Sequence, residues 1–220
     1  GEPDSIIPKL IVKSKALITK LPELFDLLAQ LIGKSSYADK NRLQELIVQS
    51  KANMELDLLN SANQVVASRL SSYFSPSGAY NEQGGLTFYH FIKDLADNFD
   101  ARYPSLRADL EELMTRAFNR KNLLVSITLK ESQYNIFSAA FTKFATVLAD
   151  KEFAPEPFSF KIDKKNEGFQ SSSQVQYVGL GANFIRNGYR YTGGLTVLAT
   201  ILRCTYFWNR IRVLGGAYGA

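Results

Sequence analysis

The sequence predicts an α+β fold in which helices predominate. Long stretches repeat apolar residues every three or four positions, as amphipathic helices do, and shorter stretches are apolar and β-branched, as strands are. The chain has 220 residues, of which 45% are hydrophobic and 21% are charged. This composition is ordinary for a packed globular protein, so a substantial hydrophobic core is expected.

A short strand and a helix are the first predicted elements. The strand covers residues 9–14, KLIVKS, which are largely apolar. The helix follows because leucines recur at helical spacing, at Leu17, Leu21, Leu24, Leu28 and Leu31. Gly33 is expected to end this helix, and Pro22 to lie in its first turn, where a missing N–H costs little.

A long helix is predicted from Asp39 to about Phe74, because this stretch contains neither proline nor glycine. Asp39 is a suitable N-cap residue. The sequence SPSG at residues 75–78 is expected to end the helix. One apolar face is expected to contain Leu43, Leu46, Ile47, Met54, Leu58 and Val65.

The remaining patterns predict four helices and three strands or strand-like segments, joined by one linker. The helices are expected at about 86–98, 104–119, 132–149 and 195–210, and the strands at 123–129, 174–180 and 211–218. Pro155 and Pro157 disfavour regular structure, and a polar run follows them. The predicted organisation is therefore a domain over 1–150, a linker over 151–172 and a second domain over 173–220.

Composition argues against several kinds of partner. His90 and Cys204 are the only histidine and cysteine, too few for the usual zinc ligands, so no metal site is expected in this chain. Cys204 is expected to be buried. The most apolar stretch, 195–213, is interrupted by three arginines, so no membrane partner is expected.

Positive charge is concentrated in the last third of the chain. Residues 156–220 contain 8 basic and 3 acidic side chains, whereas residues 1–155 contain 18 of each. A nucleic-acid-binding protein would show such asymmetry, and so would an incomplete domain whose acidic partners lie elsewhere. No nucleic-acid partner is expected, because this charge excess is the only feature that points to one.

Four ordered segments resemble the presequence-protease-like branch of the insulinase/pitrilysin superfamily of zinc metallopeptidases. They are ASRLSSYFSPSGAY at 67–80, GLTFY at 85–89, SQVQYVG at 173–179 and YFWNRIRVLGGAYG at 206–219. The resemblance implies the helix-rich C-terminal part of a third insulinase-type α/β domain over 1–150, followed by the truncated start of a fourth such domain.

The resemblance also implies a function for the parent protein, which would be a zinc metalloendopeptidase that encloses and degrades unstructured peptides. The zinc cofactor would be held by the N-terminal half of the parent, so this chain alone is expected to be inactive. Arg212 and Tyr218 match residues of the family that reach the substrate near the scissile bond. Gly215 and Gly216 leave the backbone uncrowded, so that a peptide can approach closely.

Two further expectations remain open at this point. A non-catalytic helical interaction module, or an inactive subunit of the insulinase family, is the alternative function. A truncated sheet would expose an unpaired edge, through which copies of the chain would associate. The location would be cytoplasmic for a bacterial parent and the organellar matrix for a eukaryotic one.

Overall fold

The computed structural model describes residues 6–154, 159–160, 162–172 and 174–219. Within them lie α1 (Leu21–Gly33), α2 (Lys40–Asn60), α3 (Ala62–Ser71), α4 (Pro76–Glu82), α5 (Leu86–Asp97), α6 (Phe99–Ala117), α7 (Tyr134–Ala145) and α8 (Gly193–Ile201). The last helix continues as a π-helix over Leu202–Val213.

The structure divides into two compact units, Gly1–Gly179 and Leu180–Ala220. The predicted domain limits, which rest on family organisation, stay a prediction. Pro155 and Pro157, on which the predicted linker depends, lie outside the described residues.

The predicted long helix is two helices, α2 and α3, which meet at Ser61. Asp39 caps α2 as predicted, because its carboxylate accepts the N–H of Arg42 at 2.9 Å. The N–H of Ser61 still donates to the carbonyl of Asp57 at 2.9 Å, but the backbone of Ser61 leaves the helical region there. No proline or glycine marks this break, which is why the sequence pattern missed it.

The main core of the first unit lies between α2, α5 and α6. Its buried centre consists of Ile47, Ile92, Leu95 and Phe99. Leu43 and Met54 pack against this centre, which confirms part of the apolar face predicted for α2. Leu46, predicted on the same face, is exposed instead.

Phe99 also explains why α6 begins before Pro104, where the sequence predicts its start. The Phe99 side chain is only 3% exposed, so packing fixes the backbone there. Pro104 therefore lies inside the helix, where its ring removes one backbone hydrogen bond. Tertiary burial has overridden the local preference of proline for a first turn.

Aromatic packing joins α1 to α7. The ring of Phe25 lies 5.2 Å from that of Phe144 and 5.9 Å from that of Phe137, measured between centroids. Pro22 lies in the first turn of α1, and the helix ends at Gly33, both as predicted. A Cβ atom at Gly33 would lie 2.8 Å from Val147, so a glycine lets this helix end pack closely.

The sequence SPSG both follows α3 and starts α4. The hydroxyl of Ser75 accepts the N–H of Gly78 at 3.0 Å, which caps the new helix. Gly78 is buried against α3, because a Cβ at this position would lie 2.3 Å from the carbonyl oxygen of Ser71. The expected terminator is therefore a tight helix-to-helix turn.

The α+β prediction is wrong for the described residues, which form a helical fold without strands. Only an isolated bridge between Asn119 and Ala149 is seen in this part of the chain. Residues 9–14, 123–129 and 174–180 are irregular, and 211–218 begin as π-helix and continue as irregular backbone. A strand needs a neighbour that satisfies its backbone N–H and C=O groups, and no two of these segments pair.

This correction also applies to the two domains that were expected to be of the α/β type. Their helical parts are present, whereas the sheets are not seen in the described residues. The sheet edge through which copies were expected to associate is likewise absent from the described ranges, so that route to self-association has no structural basis.

The second unit contains the helix Gly193–Val213, which confirms the helix predicted over 195–210. Large apolar side chains remain exposed along its length, including Val197, Leu198, Ile201, Trp208 and Ile211. Cys204 is exposed as well, contrary to the expectation of burial. None of the described helices is both long enough and apolar enough to cross a membrane.

Candidate functional site

Arg212 lies in the last turn of the helix in the second unit. Its guanidinium lies over the ring of Trp208, 4.6 Å from the centroid, and donates to the backbone carbonyl of Tyr218. A positive charge is also favourable at a helix C-terminus, where backbone carbonyls are unpaired. The side chain is thus held by an aromatic face and by a backbone oxygen.

Gly215 and Gly216 form the turn that ends this helix. Gly216 has φ 72°, in the left-handed region that favours glycine. Its N–H donates to the carbonyl of Arg212 at 3.1 Å, and the N–H of Ala217 donates to the carbonyl of Ile211 at 3.1 Å. A Cβ at Gly215 would lie 2.6 Å from the Ile211 carbonyl oxygen, so both glycines are required locally.

Tyr218 follows this turn directly. Its side chain is 83% exposed, and it is the backbone of Tyr218, rather than its phenol, that Arg212 contacts. The structure therefore brings the two sequence-predicted residues together at one end of the helix. Their role toward a substrate stays a prediction.

Metal ligands do not converge anywhere in the described part of the chain. No group of three or more His, Cys, Asp or Glu side chains is placed to hold an ion there. The residues that this structure describes therefore do not fit a zinc site.

A buried ion network in the first unit was not predicted. Arg69 donates from Nε and Nη2 to the two carboxylate oxygens of Glu167, at 2.8 and 3.0 Å. Its Nη1 lies 3.2 Å from the carboxylate of Glu82, which is 3% exposed. Glu82 also accepts the N–H of Thr87 at 3.1 Å and the Thr87 hydroxyl. Tyr73 donates its hydroxyl to Glu167.

The electrostatics of this network favour a permanent ion pair. Hydrogen bonds, first from Arg69 and also from Tyr73, lower the pKa of Glu167 to about 2. The bond to Glu167 in turn raises the pKa of Arg69. Burial, together with the bond to Glu167, raises the pKa of Tyr73. A carboxylate this acidic is a poor general base near neutral pH, so the network is suited to holding structure rather than to catalysis.

An open groove of about 460 Å³ lies beside this network. It is lined by parts of α2, α3 and the start of α5, and its lining includes Met54, Leu58, Val65, Phe88 and Glu82. Glu82 is already engaged by Arg69 and Thr87, so the groove has no free carboxylate at that point.

Comparison with known families assigns two parts of the chain. Residues 1–95 match the family of segments associated with peptidases of metallopeptidase subfamily 16C, called here the peptidase-associated family. Residues 166–220 match the family described as PreP C-terminal domain. Arg69 lies in the first part, whereas Glu167, Arg212 and Tyr218 lie in the second. No solved structure matches the chain.

The relatives span nearly the whole chain. Protein HypA of Clostridium perfringens is 30% identical over 96% of this chain and 22% of its own length. Presequence protease 1, chloroplastic/mitochondrial, of Arabidopsis thaliana is 28% identical over 98% of this chain and 20% of its own length. The mitochondrial presequence protease of Danio rerio is 20% identical over 96% and 23%, respectively. The chain therefore spans about a fifth of the relatives it matches.

Together these matches identify the class: the chain belongs to subfamily 16C, a group within the insulinase family of metallopeptidases. Within that group it is a presequence-protease-like fragment, as the resemblance predicted.

Proposed function

We propose that this chain provides substrate-binding and chamber-forming surface in a zinc-dependent metalloendopeptidase that degrades unstructured peptides. The observation that carries the proposal is the placement of Arg212 beside Tyr218, at the end of a helix within the segment matched by the PreP C-terminal family.

The chemistry of the two residues suits contact with a peptide. A guanidinium and a phenol both donate hydrogen bonds, and a substrate carbonyl accepts them. Donors aimed at that oxygen stabilise the negative charge that develops when the carbonyl is attacked. Stacking on Trp208 restricts the plane of the guanidinium, and the turn at Gly215 and Gly216 keeps side-chain bulk away from the approaching backbone.

The main partner is the N-terminal half of the parent protein, which holds the zinc cofactor. The described residues of this chain do not fit a zinc site, so no hydrolytic step is assigned to them. Alone, the chain is expected to bind peptide weakly and to cleave nothing.

Exposed apolar surface on the last helix supports a place within a larger protein. A helix that is apolar on all sides is ordinarily buried among other elements. Over Gly193–Ile201 the side chains of Val197, Leu198 and Ile201 are all exposed, although no described residue of this helix is charged before Arg203. Additional chain of the parent would cover this surface. A bacterial parent would act in the cytoplasm, and a eukaryotic parent in an organellar matrix.

Replacing either residue in the full-length parent tests the proposal. Arg212→Met and Tyr218→Phe each remove one donor, so kcat/KM for an unstructured fluorogenic peptide should fall about 100-fold while the bound zinc is unchanged. Arg210→Met, an exposed cation two residues away, serves as the matched control and should keep normal kinetics.

Unchanged kinetics in both site variants would refute the role assigned to these residues. A parent that binds no zinc and cleaves no peptide would instead support the alternative, an inactive subunit of the same family.

A further inference from the structure

We propose that Arg69 is a latch that fastens a strap, residues 162–172, onto α3 and α4. The strap contains no helix or strand in the described residues. Its backbone therefore lacks the hydrogen-bond ladder that would hold it by itself, and its position depends on side-chain contacts with the helices.

The contact between Arg69 and Glu167 is the strongest of these. Two parallel N–H···O bonds join groups 98 residues apart in the chain. Charge-assisted, bidentate bonds of this kind are about twice as strong as neutral ones and fix orientation as well as distance. Both side chains are largely shielded from solvent, at 21% and 23% exposure, so screening by water weakens the pair only in part.

Glu82 orients the latch from the opposite side. Its buried carboxylate lies 3.2 Å from Nη1 of Arg69 and is itself fixed by Thr87 at the start of α5. The guanidinium is thus held by one carboxylate of the helical unit, which leaves its other edge directed at the strap. Removing Arg69 would leave Glu82 buried without its cation, which is costly.

Packing contacts flank the latch along the strap and beyond it. Phe169 lies 5.9 Å from the Arg69 guanidinium, measured to the ring centroid. Phe160, just before the strap, packs on Tyr80 of α4 with centroids 6.5 Å apart. At the other end, Gly179 approaches α3 so closely that a Cβ would lie 2.6 Å from Val66.

The latch joins the two parts of the chain that the family comparisons distinguish. Arg69 belongs to the part matched by the peptidase-associated family, and Glu167 to the part matched by the PreP C-terminal family. Opening the latch would therefore release the beginning of the second part from the helices of the first. This role is conformational and does not rest on the proposed peptidase function.

Limited proteolysis of the full 220-residue chain tests the latch. Trypsin cleaves after Lys164 and Lys165, which are exposed within the strap. Glu167→Ala keeps the Arg69–Glu82 pair, so it should release the strap without unfolding the helices. Cleavage at these two lysines, followed by mass spectrometry, should become about tenfold faster. Arg69→Lys, which keeps the charge but loses the bidentate geometry, should give a smaller increase.

Arg107→Met is the control, because Arg107 makes an exposed pair with Glu111 within α6. It should leave strap cleavage unchanged, and the far-UV circular dichroism of all variants should match that of the wild type. Strap cleavage in Glu167→Ala within about twofold of the wild-type rate would overturn the proposal. An equal acceleration at sites throughout the chain would overturn it too, because it would indicate general unfolding.

Discussion

Arg69 and Arg212 both lie in the last turn of a helix, yet their surroundings give them different tasks. Arg69 is engaged by two carboxylates, Glu82 and Glu167. Arg212 contacts an aromatic ring and a backbone carbonyl, and in the described structure these contacts bring no negative charge. The charge of Arg69 is therefore neutralised within the fold, whereas that of Arg212 remains available to an incoming substrate.

The ion pair of Arg69 predicts how stability changes in acid. Because the folded state lowers the pKa of Glu167 from 4.5 to about 2, its contribution is complete above about pH 4.5 and is lost as pH falls toward 2. Glu167→Ala should reduce the free energy of unfolding by about 1–2 kcal/mol at pH 7, after allowance for solvent screening. Tyr73, Lys165 and Glu82 also bear on this carboxylate but keep their charge state at pH 7.

Urea unfolding at pH 7 and at about pH 3, for the wild type and Glu167→Ala, measures this effect. The difference between the two proteins should shrink at the lower pH. A difference that stays constant across this range would show that Glu167 gains nothing from its partners.

At the scale of elements, the helices follow from local sequence. The cap at Asp39, the proline in the first turn of α1 and the leucine spacing of α1 are each decided within a few residues, and the structure confirms them. Strand formation is not local, because apolar segments become strands only beside a partner. The segments predicted as strands have no such partner in the described residues, so pattern alone gave the wrong fold class.

The turn between α3 and α4 yields a sharp prediction at this scale. Gly78→Ala would place a Cβ 2.3 Å from the Ser71 carbonyl oxygen, and backbone on both sides leaves little room to relax. We expect a loss of about 2–3 kcal/mol in the free energy of unfolding. Gly84→Ala is the control, because its Cβ would lie 3.6 Å from the nearest atom and should change stability by less than about 0.5 kcal/mol.

Chemical denaturation of both variants decides the matter. Equal stability of Gly78→Ala and the wild type would mean that the turn opens easily, contrary to the tight packing described above.

The candidate site and the latch differ in what the sequence could predict. Arg212 and Tyr218 were identified from a motif in which they stand six residues apart, and their proximity follows from a helix end and its glycine turn. Arg69 and Glu167 lie 98 residues apart, so no local pattern joins them. Arg69 did fall in a segment that resembles the family, but only the folded chain shows that its partner is in the strap.

At the scale of the whole molecule, the chain corresponds to about a fifth of a larger peptidase-family protein. The exposed apolar helix of the second unit is consistent with a part that depends on the rest of the parent, and so is the lack of a metal cluster among the described residues. The central claim is that Tyr218 faces bound peptide in that parent.

Photo-crosslinking tests this claim most directly. Tyr218 would be replaced by p-benzoylphenylalanine in the full-length parent, in a variant that binds an unstructured peptide without cleaving it. Tyr189, which is also exposed in the second unit, provides the control position. We predict a crosslink to peptide from position 218, competed by unlabelled peptide, and none from position 189. Equal labelling from both positions, or none from 218, would contradict the claim.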